Sequence, residues 1–478
     1  MMFRMRGAGQ RCALFALALV AALAAGCGGR TRAENLHHRL LSVADLPAGW
    51  SATTTGKNAP TANGPCFAQL PKQSARFTYE SAAFVEGTSI PNLGEVLATG
   101  PEVRQTWTRL SDALARCRTA TLGLGRTKVR AAVHPLALAK LAAHTSAYAW
   151  TFTLGGIEFS FDLVLFRTSS YDGILSYADL GSPPPSTVTA FVRAAIAKAA
   201  SGSTAPVPDS VSIASAPVRT VHTTDGTVAY RTIGSGSPLL LVTGYSGTME
   251  GWDRRFVDAL ARDHRVITFD NAGIGKTDAV RPLTIDAMAN QTSALIDALD
   301  LKRPDVLGWS MGSMIAQALA VLHPQQVRRL VLCASFPGDG TAVPPSRTEL
   351  DAFESGRPQD VLAALFPDDQ IAAQNAYLAA VSSYPSAPPA PADALIAQKR
   401  AVDGWWNGLD PAGKRADTIT APTLLADGTG DRLDPTVNSR ELARLIATAR
   451  LELYPDAGHA FLFQDQARFV RLVDAFLR

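Results

Sequence analysis

Acidic side chains are absent from the first 26 residues of this 478-residue chain, and net charge is scarce throughout. Lys and Arg total 45 against 42 Asp and Glu, and Arg4, Arg6 and Arg11 alone account for the formal charge of +3. No basic stripe asks for nucleic acid. Cysteine is sparse, five in all. His134 and His144 stand alone rather than in a ligand cluster, so neither a metal nor a cofactor is expected. The apolar run at residues 12–25 is too short to cross a bilayer as a stable helix. What remains is globular in character, with 47% hydrophobic and 18% charged residues. The length allows two or three domains with sizeable cores.

The start of the chain reads as a targeting segment: a basic n-region, the apolar run, then Leu23-Ala24-Ala25-Gly26-Cys27. That ending resembles a bacterial lipobox, in which small residues precede a cysteine lipidated on its thiol. The resemblance implies a lipoprotein signal peptide over 1–26, lipidation at Cys27 and an exported protein. Its acyl anchor would hold it at the outer face of the cell membrane. An ordinary secretory signal with an unrelated cysteine is the alternative. Cys12 leaves with the leader, and Cys333, inside Leu330-Val331-Leu332-Cys333-Ala334, reads as a buried free thiol. Cys66 and Cys117 share one exported region and are expected to form a disulfide.

Residues 27–200 read as an α+β domain. Alternation marks a strand at 75–80, and two more strands are expected at 147–154 and 157–166. Val103, Trp107, Leu110, Leu114 and Cys117 fall at helical spacing within 101–118, and 187–200 reads as a closing helix. Leu46-Pro47-Ala48-Gly49-Trp50 and the cysteine pair resemble the extracellular sensor-like domains of actinobacterial lipoproteins. That resemblance carries no site; an envelope ligand or partner is what it would imply. Residues 201–217, rich in Ser, Pro and Ala, read as a linker.

From 218 onward, short apolar strands alternate with helices, the pattern of a mainly parallel sheet covered on both faces. Its central feature is Gly308-Trp309-Ser310-Met311-Gly312, set between a short apolar stretch and a run of helix formers. In that context G-x-S-x-G is a nucleophile elbow: the tight turn lifts a serine hydroxyl above the sheet edge, beside the N-terminus of a helix. Three further landmarks keep order around it: Thr243-Gly244-Tyr245-Ser246, Asp270-Asn271-Ala272-Gly273-Ile274-Gly275, and Asp427-Gly428-Thr429-Gly430-Asp431 followed by Gly458-His459. Together they make residues 218–478 resemble an α/β-hydrolase of the esterase, lactonase and cofactor-free haloperoxidase type. Two departures are visible. Thr243 stands where the family usually has histidine, and Asn271-Ala272 offers no arginine in the loop after the fourth strand.

A serine hydroxyl needs a base, and the base an orienting acid. Among His222, His264, His323 and His459, only His459 follows the last strand, at the carboxyl end of the sheet where ligands bind. Asp427, Asp431 and Asp434 compete for the acid. Asp427 reads as holding the turn and Asp434, before Pro435, as capping a helix; the resemblance selects Asp431. By the same analogy the backbone N–H groups of Tyr245 and Met311 form the oxyanion hole. Residues 336–418 exceed a simple loop and read as a helical lid, in which Trp405 and Trp406 either line an acyl pocket or pack the lid on the core. The expected function is a membrane-anchored serine hydrolase of carboxylic esters, lactones or thioesters, acting on a small-molecule or lipid ester. A peptidase, a cofactor-free perhydrolase with the same triad, or a non-catalytic envelope binding lipoprotein are the alternatives.

Overall fold

A computed structural model describes residues 36–47, 50–53, 61–63, 77–86, 91–124, 127–139, 141, 144–154, 157–180, 185–204, 207, 212–384 and 390–478. The leader and Cys27 lie outside them. Among the described residues no helix is long and apolar enough to cross a membrane. The chain divides into two compact units, Met1–Val211 and Ser212–Arg478.

The first unit is built on one antiparallel sheet of nine strands: β1 (Trp50–Ala52), β2 (Thr61–Asn63), β3 (Thr78–Glu86), β4 (Asn92–Thr99), β5 (Thr119–Leu124), β6 (Thr127–Pro135), β7 (Thr145–Leu154), β8 (Ile157–Arg167) and β9 (Asp172–Leu180). They run in the order β1-β3-β4-β9-β8-β7-β6-β5-β2. Among the described residues, two long helices cover opposite faces. Helix Val103–Arg116 lies over β7 and β9: Tyr148 OH donates to Ser111 O (3.2 Å) and Trp107 Nε1 to Gly173 O (3.1 Å). Helix Pro185–Ser201 packs Val188, Phe191 and Val192 against Leu97, Val164, Leu175 and Tyr177 on the other face. The unit is thus a β-rich α+β domain, one antiparallel sheet with helices on its faces. Cys117 is engaged in a disulfide, and Cys66 lies outside the described residues.

The division between the units lies between Val211 and Ser212. Ser201 still belongs to the closing helix of the first unit. Ile213 and Ala216 are fully buried in the second, where Arg231 donates to the carbonyls of Ala214 and Ala216. Apolar residues at 213, 214 and 216 thus close the second core instead of spanning between units.

The second unit carries eight strands: β10 (Arg219–Thr223), β11 (Gly226–Ile233), β12 (Ser237–Val242), β13 (His264–Phe269), β14 (Asp305–Trp309), β15 (Leu330–Cys333), β16 (Thr423–Gly428) and β17 (Ala449–Tyr454). Their order is β10-β11-β13-β12-β14-β15-β16-β17. An antiparallel β10–β11 hairpin joins antiparallel to β13, and from β13 to β17 all pairs are parallel. β12, β14 and β15 read as near-continuous apolar runs because helices bury both of their faces. Among these are Ile285–Ala298 and Met311–Leu322 on one side, and Arg254–Leu260 and Gln466–Leu477 on the other. Cys333 is a buried free thiol on β15, its pKa raised by burial. Between β15 and β16 the chain builds helices Arg347–Glu354, Pro358–Leu365, Ile371–Val381 and Ala392–Trp406.

Candidate active site

The elbow joins β14 to helix Met311–Leu322. Ser310 sits at φ 57°, ψ −127°, a left-handed conformation that strains an L-residue and persists only where its surroundings enforce it. Crowding enforces it here. A Cβ on Gly308 would lie 2.3 Å from Gly312 O, and one on Gly312 would lie 2.0 Å from Val242 O. Both positions admit nothing larger than hydrogen, so the helix start can press against the end of β12. The Ser310 carbonyl accepts from the N–H and the hydroxyl of Ser313, at 2.8 and 2.6 Å, which pins the turn.

The Thr243–Ser246 loop stands directly beside this turn: a Cβ on Gly244 would be 3.2 Å from Ser310 Cβ. Two side-chain amides hold the loop, one from the Asp270–Gly275 landmark and one from the lid. Asn271 Nδ2 donates to Thr243 O at 2.9 Å, and Gln398, fully buried on the lid helix Ala392–Trp406, accepts from Ser246 N at 3.0 Å. The loop is thus held by an amide at each end, at Thr243 and at Ser246. Tyr245 and Met311 both reach the cavity at Ser310.

His459 follows β17 and is 3% exposed. Its Nδ1 is 2.8 Å from Asp431 Oδ2, and its carbonyl accepts from Trp309 Nε1 at 3.0 Å. The other Asp431 oxygen accepts from Leu433 N and Asp434 N, both at 2.8 Å. Burial disfavours the imidazolium, but the charge and hydrogen bond of Asp431 outweigh it, and the His459 pKa is raised above its ordinary value. Ser310 and His459 line the same cavity. Among the described residues they form no direct hydrogen bond, a contact that in ligand-free sites commonly tightens when substrate enters.

The competing carboxyls are placed differently. Asp427 accepts from Gly428 N at 2.8 Å and from Ser439 Oγ, tying the end of β16 to helix Thr436–Leu445. Asp434 does not cap that helix as its position before Pro435 suggests. Pro435 is the N-cap without a side-chain cap, and Asp434 Oδ1 instead accepts from Asn438 Nδ2 at 2.9 Å. The three other histidines of the unit lie elsewhere: His222 pairs with Thr227, His264 with Asp474 and His323 with Asn290.

The cavity measures about 420 Å³, room for a small organic molecule. The two lid tryptophans divide the roles offered to them. Trp406 lines the cavity, with its Nε1 donating to Ala342 O at 3.1 Å; Trp405 is fully buried and packs the lid, donating to Phe336 O. Among the described residues no cluster of three metal-ligating side chains occurs.

Residues 237–466 match the alpha/beta hydrolase fold. A 2-hydroxymuconate semialdehyde hydrolase from Pseudomonas sp. (strain CF600) is 31% identical over 268 residues, 51% of this chain and 88% of that protein. The chain belongs to the α/β-hydrolase family. A second hydrolase relative, the 2-hydroxy-6-oxo-2,4-heptadienoate hydrolase of Pseudomonas putida, is 29% identical over 51% of this chain and 90% of its own length. Among solved structures, an alpha/beta hydrolase fold protein from Chitinophaga pinensis superposes with a TM-score of 0.50 at 27% identity, covering 55% of this chain and 98% of that one. The protein is accordingly an enzyme of the α/β-hydrolase family, with its hydrolase fold in the second unit.

Proposed function

We propose that this α/β-hydrolase cleaves carboxylic esters, lactones or thioesters through an acyl-enzyme, with Ser310 as nucleophile, His459 as base and Asp431 as the orienting acid. The observation that carries the reading is the buried Asp431–His459 pair at the wall of a cavity shared with a strained serine. Ser310 Oγ attacks the acyl carbonyl as His459 Nε2 takes its proton. Asp431, bonded to Nδ1, fixes the ring orientation and stabilises the imidazolium. The backbone N–H groups of Tyr245 and Met311 receive the developing oxyanion, each worth about 3 kcal/mol in the transition state. His459 then returns the proton to the leaving group, and water repeats the sequence on the acyl-enzyme.

The same reading extends to the chain's location. The basic leader and Gly26-Cys27 favour export and lipidation at Cys27, which would anchor the enzyme at the outer face of the membrane; the first unit would then meet an envelope ligand or partner. Cys66 and Cys117 would be joined there. A fluorophosphonate probe tests the chemistry. It should label the wild type and leave Ser310→Ala unlabelled, and equal labelling of both would reject the assignment. Mass spectrometry tests the anchor, since a mature N-terminus other than a lipidated Cys27 would remove it.

A further inference from the structure

Asp434 lines the cavity and has no task in the reaction above. It is 1% exposed, lines the cavity with Ser310 and His459, and only one of its oxygens is engaged, by Asn438. Its Oδ2 is buried without a hydrogen-bond partner. A buried polar atom left in this way costs about 1–3 kcal/mol, a penalty that a binding partner would relieve.

We propose that Asp434 is a substrate-recognition residue whose carboxylic acid O–H donates a hydrogen bond to a second oxygen of the substrate. That oxygen would be an oxo, hydroxyl or ether group a few bonds from the scissile carbonyl. The proposal rests on the reading of Ser310 and His459 as the reacting pair. Neutrality of the acid follows from its neighbours. Burial first, then the charge of Asp431, push the Asp434 carboxyl up to about 8, against the opposing effects of Asn438 and His459. Asp427 brings no positive charge that would favour an ionised Asp434: it is itself a carboxyl, held well above its ordinary pKa by burial and then by Asp431. Across the cavity, Lys399 is already engaged by Glu354 (3.5 Å) and by Asp403. A carboxyl kept neutral near pH 7 is a hydrogen-bond donor, which an ionised one cannot be. Asp431 contrasts with it at three residues' distance: its two oxygens accept two backbone N–H groups and the imidazole, so it has nothing to offer a substrate.

The test compares kcat/KM of the full chain for p-nitrophenyl hexanoate and for its oxa analogues, in which one methylene at a time is replaced by oxygen. Wild type, Asp434→Asn and Asp434→Leu are measured, and each rate is normalised to the ester's alkaline hydrolysis. At neutral pH the wild type should favour at least one oxa analogue over the parent ester. Asp434→Leu should lose about tenfold of that preference, while Asp434→Asn, which keeps a donor, should retain most of it. As pH rises through about 8, the wild-type preference should fade while that of Asp434→Asn persists. The readout is a ratio at one pH, so titration of His459 cancels. An unchanged ratio in Asp434→Leu, or no favoured analogue in the wild type, would overturn the role of Asp434 while hydrolysis of the parent ester left the nucleophile standing. Failure to cleave any ester would overturn both. Should Asp434→Leu not fold, the pH series of the wild type against Asp434→Asn decides alone.

Discussion

Asp431 and Glu95 are buried carboxyls, one in each unit, and their surroundings set them apart. Asp431 has two backbone N–H donors on one oxygen, an imidazole on the other, and a cavity beyond that imidazole. Glu95, on β4, is fully buried, accepts only from Leu41 N at 2.7 Å, and keeps Oε1 without a partner. Burial pushes its carboxyl up to about 8. Asp162, on β8, is held by Ser160 at 3.3 Å and is pushed up to about 7, again mainly by burial. The lesson is that burial and a displaced pKa are not enough to make a reacting group. What distinguishes the second unit is convergence: donors that fix a charge, a base that can carry a proton, a strained serine and space for a substrate, all at one end of a parallel sheet.

The sharpest way to break this contrast is to remove the converging parts. Ser310→Ala and His459→Ala should each lower turnover of a short p-nitrophenyl ester by about 10⁴–10⁶-fold, and the double variant little further, because the residues act as one unit. Near wild-type turnover in Ser310→Ala would sink the covalent mechanism. Asp431→Asn should follow with a loss of about 10⁴-fold, through a misoriented imidazole. Asp427→Asn serves as its comparison: Asp427 bonds Gly428 and Ser439 and interacts with Asp431, whereas the imidazole bonds Asp431; a larger loss there in folded protein would move the orienting acid.

Smaller effects sharpen the comparison. Gln398→Leu removes the acceptor of Ser246 N and frees the loop that carries Tyr245. It should lower kcat by about ten- to a hundredfold with the fold intact, which circular dichroism checks. Activity should rise with pH, because His459 must be neutral to accept the serine proton. Its raised pKa sets the midpoint of that rise above the ordinary histidine value near 6.5. A midpoint below that value in kcat/KM would contradict the Asp431–His459 pairing.

The two units also differ in how far their residues announce them. In the second, tight turns need glycine at 308 and 312, β12, β14 and β15 are short and apolar, and each strand end carries its own polar signature; fold class and element order are legible for that reason. The side chains that support the site are not. Asn271 and Gln398 look like ordinary amides until the loop they share is folded between them, and Asp434 looks like a helix cap until Asn438 takes its oxygen. In the first unit, helix Val103–Arg116 shows its periodicity because one face is exposed. β4 and β9 do not show theirs, because both of their faces are buried: Leu93, Val96 and Leu97 on β4, Ile174 and Leu175 on β9. Gly94 and Glu95 within β4 further obscure it.

The smallest effect on turnover is expected from Glu95→Gln, and its value lies in testing whether the buried acid of the first unit is only a burden on the fold. A free glutamate titrates near 4.5, and burial carries Glu95 to about 8. Between those values the unfolded chain has released this proton and the native chain still holds it, so native stability falls as pH rises across that window. Below it both states are protonated and the group contributes no slope. Above it both are ionised, and the full penalty of a buried charge is present. Gln keeps an oxygen for Leu41 N and never ionises. Glu95→Gln should therefore match the wild type in thermal unfolding near pH 4, and unfold at increasingly higher temperature than the wild type toward pH 8, with ester turnover unchanged throughout. A lower unfolding temperature for the variant at pH 8, or a loss of turnover, would show that Glu95 holds a charge for a purpose, and the contrast between the two units would have to be redrawn.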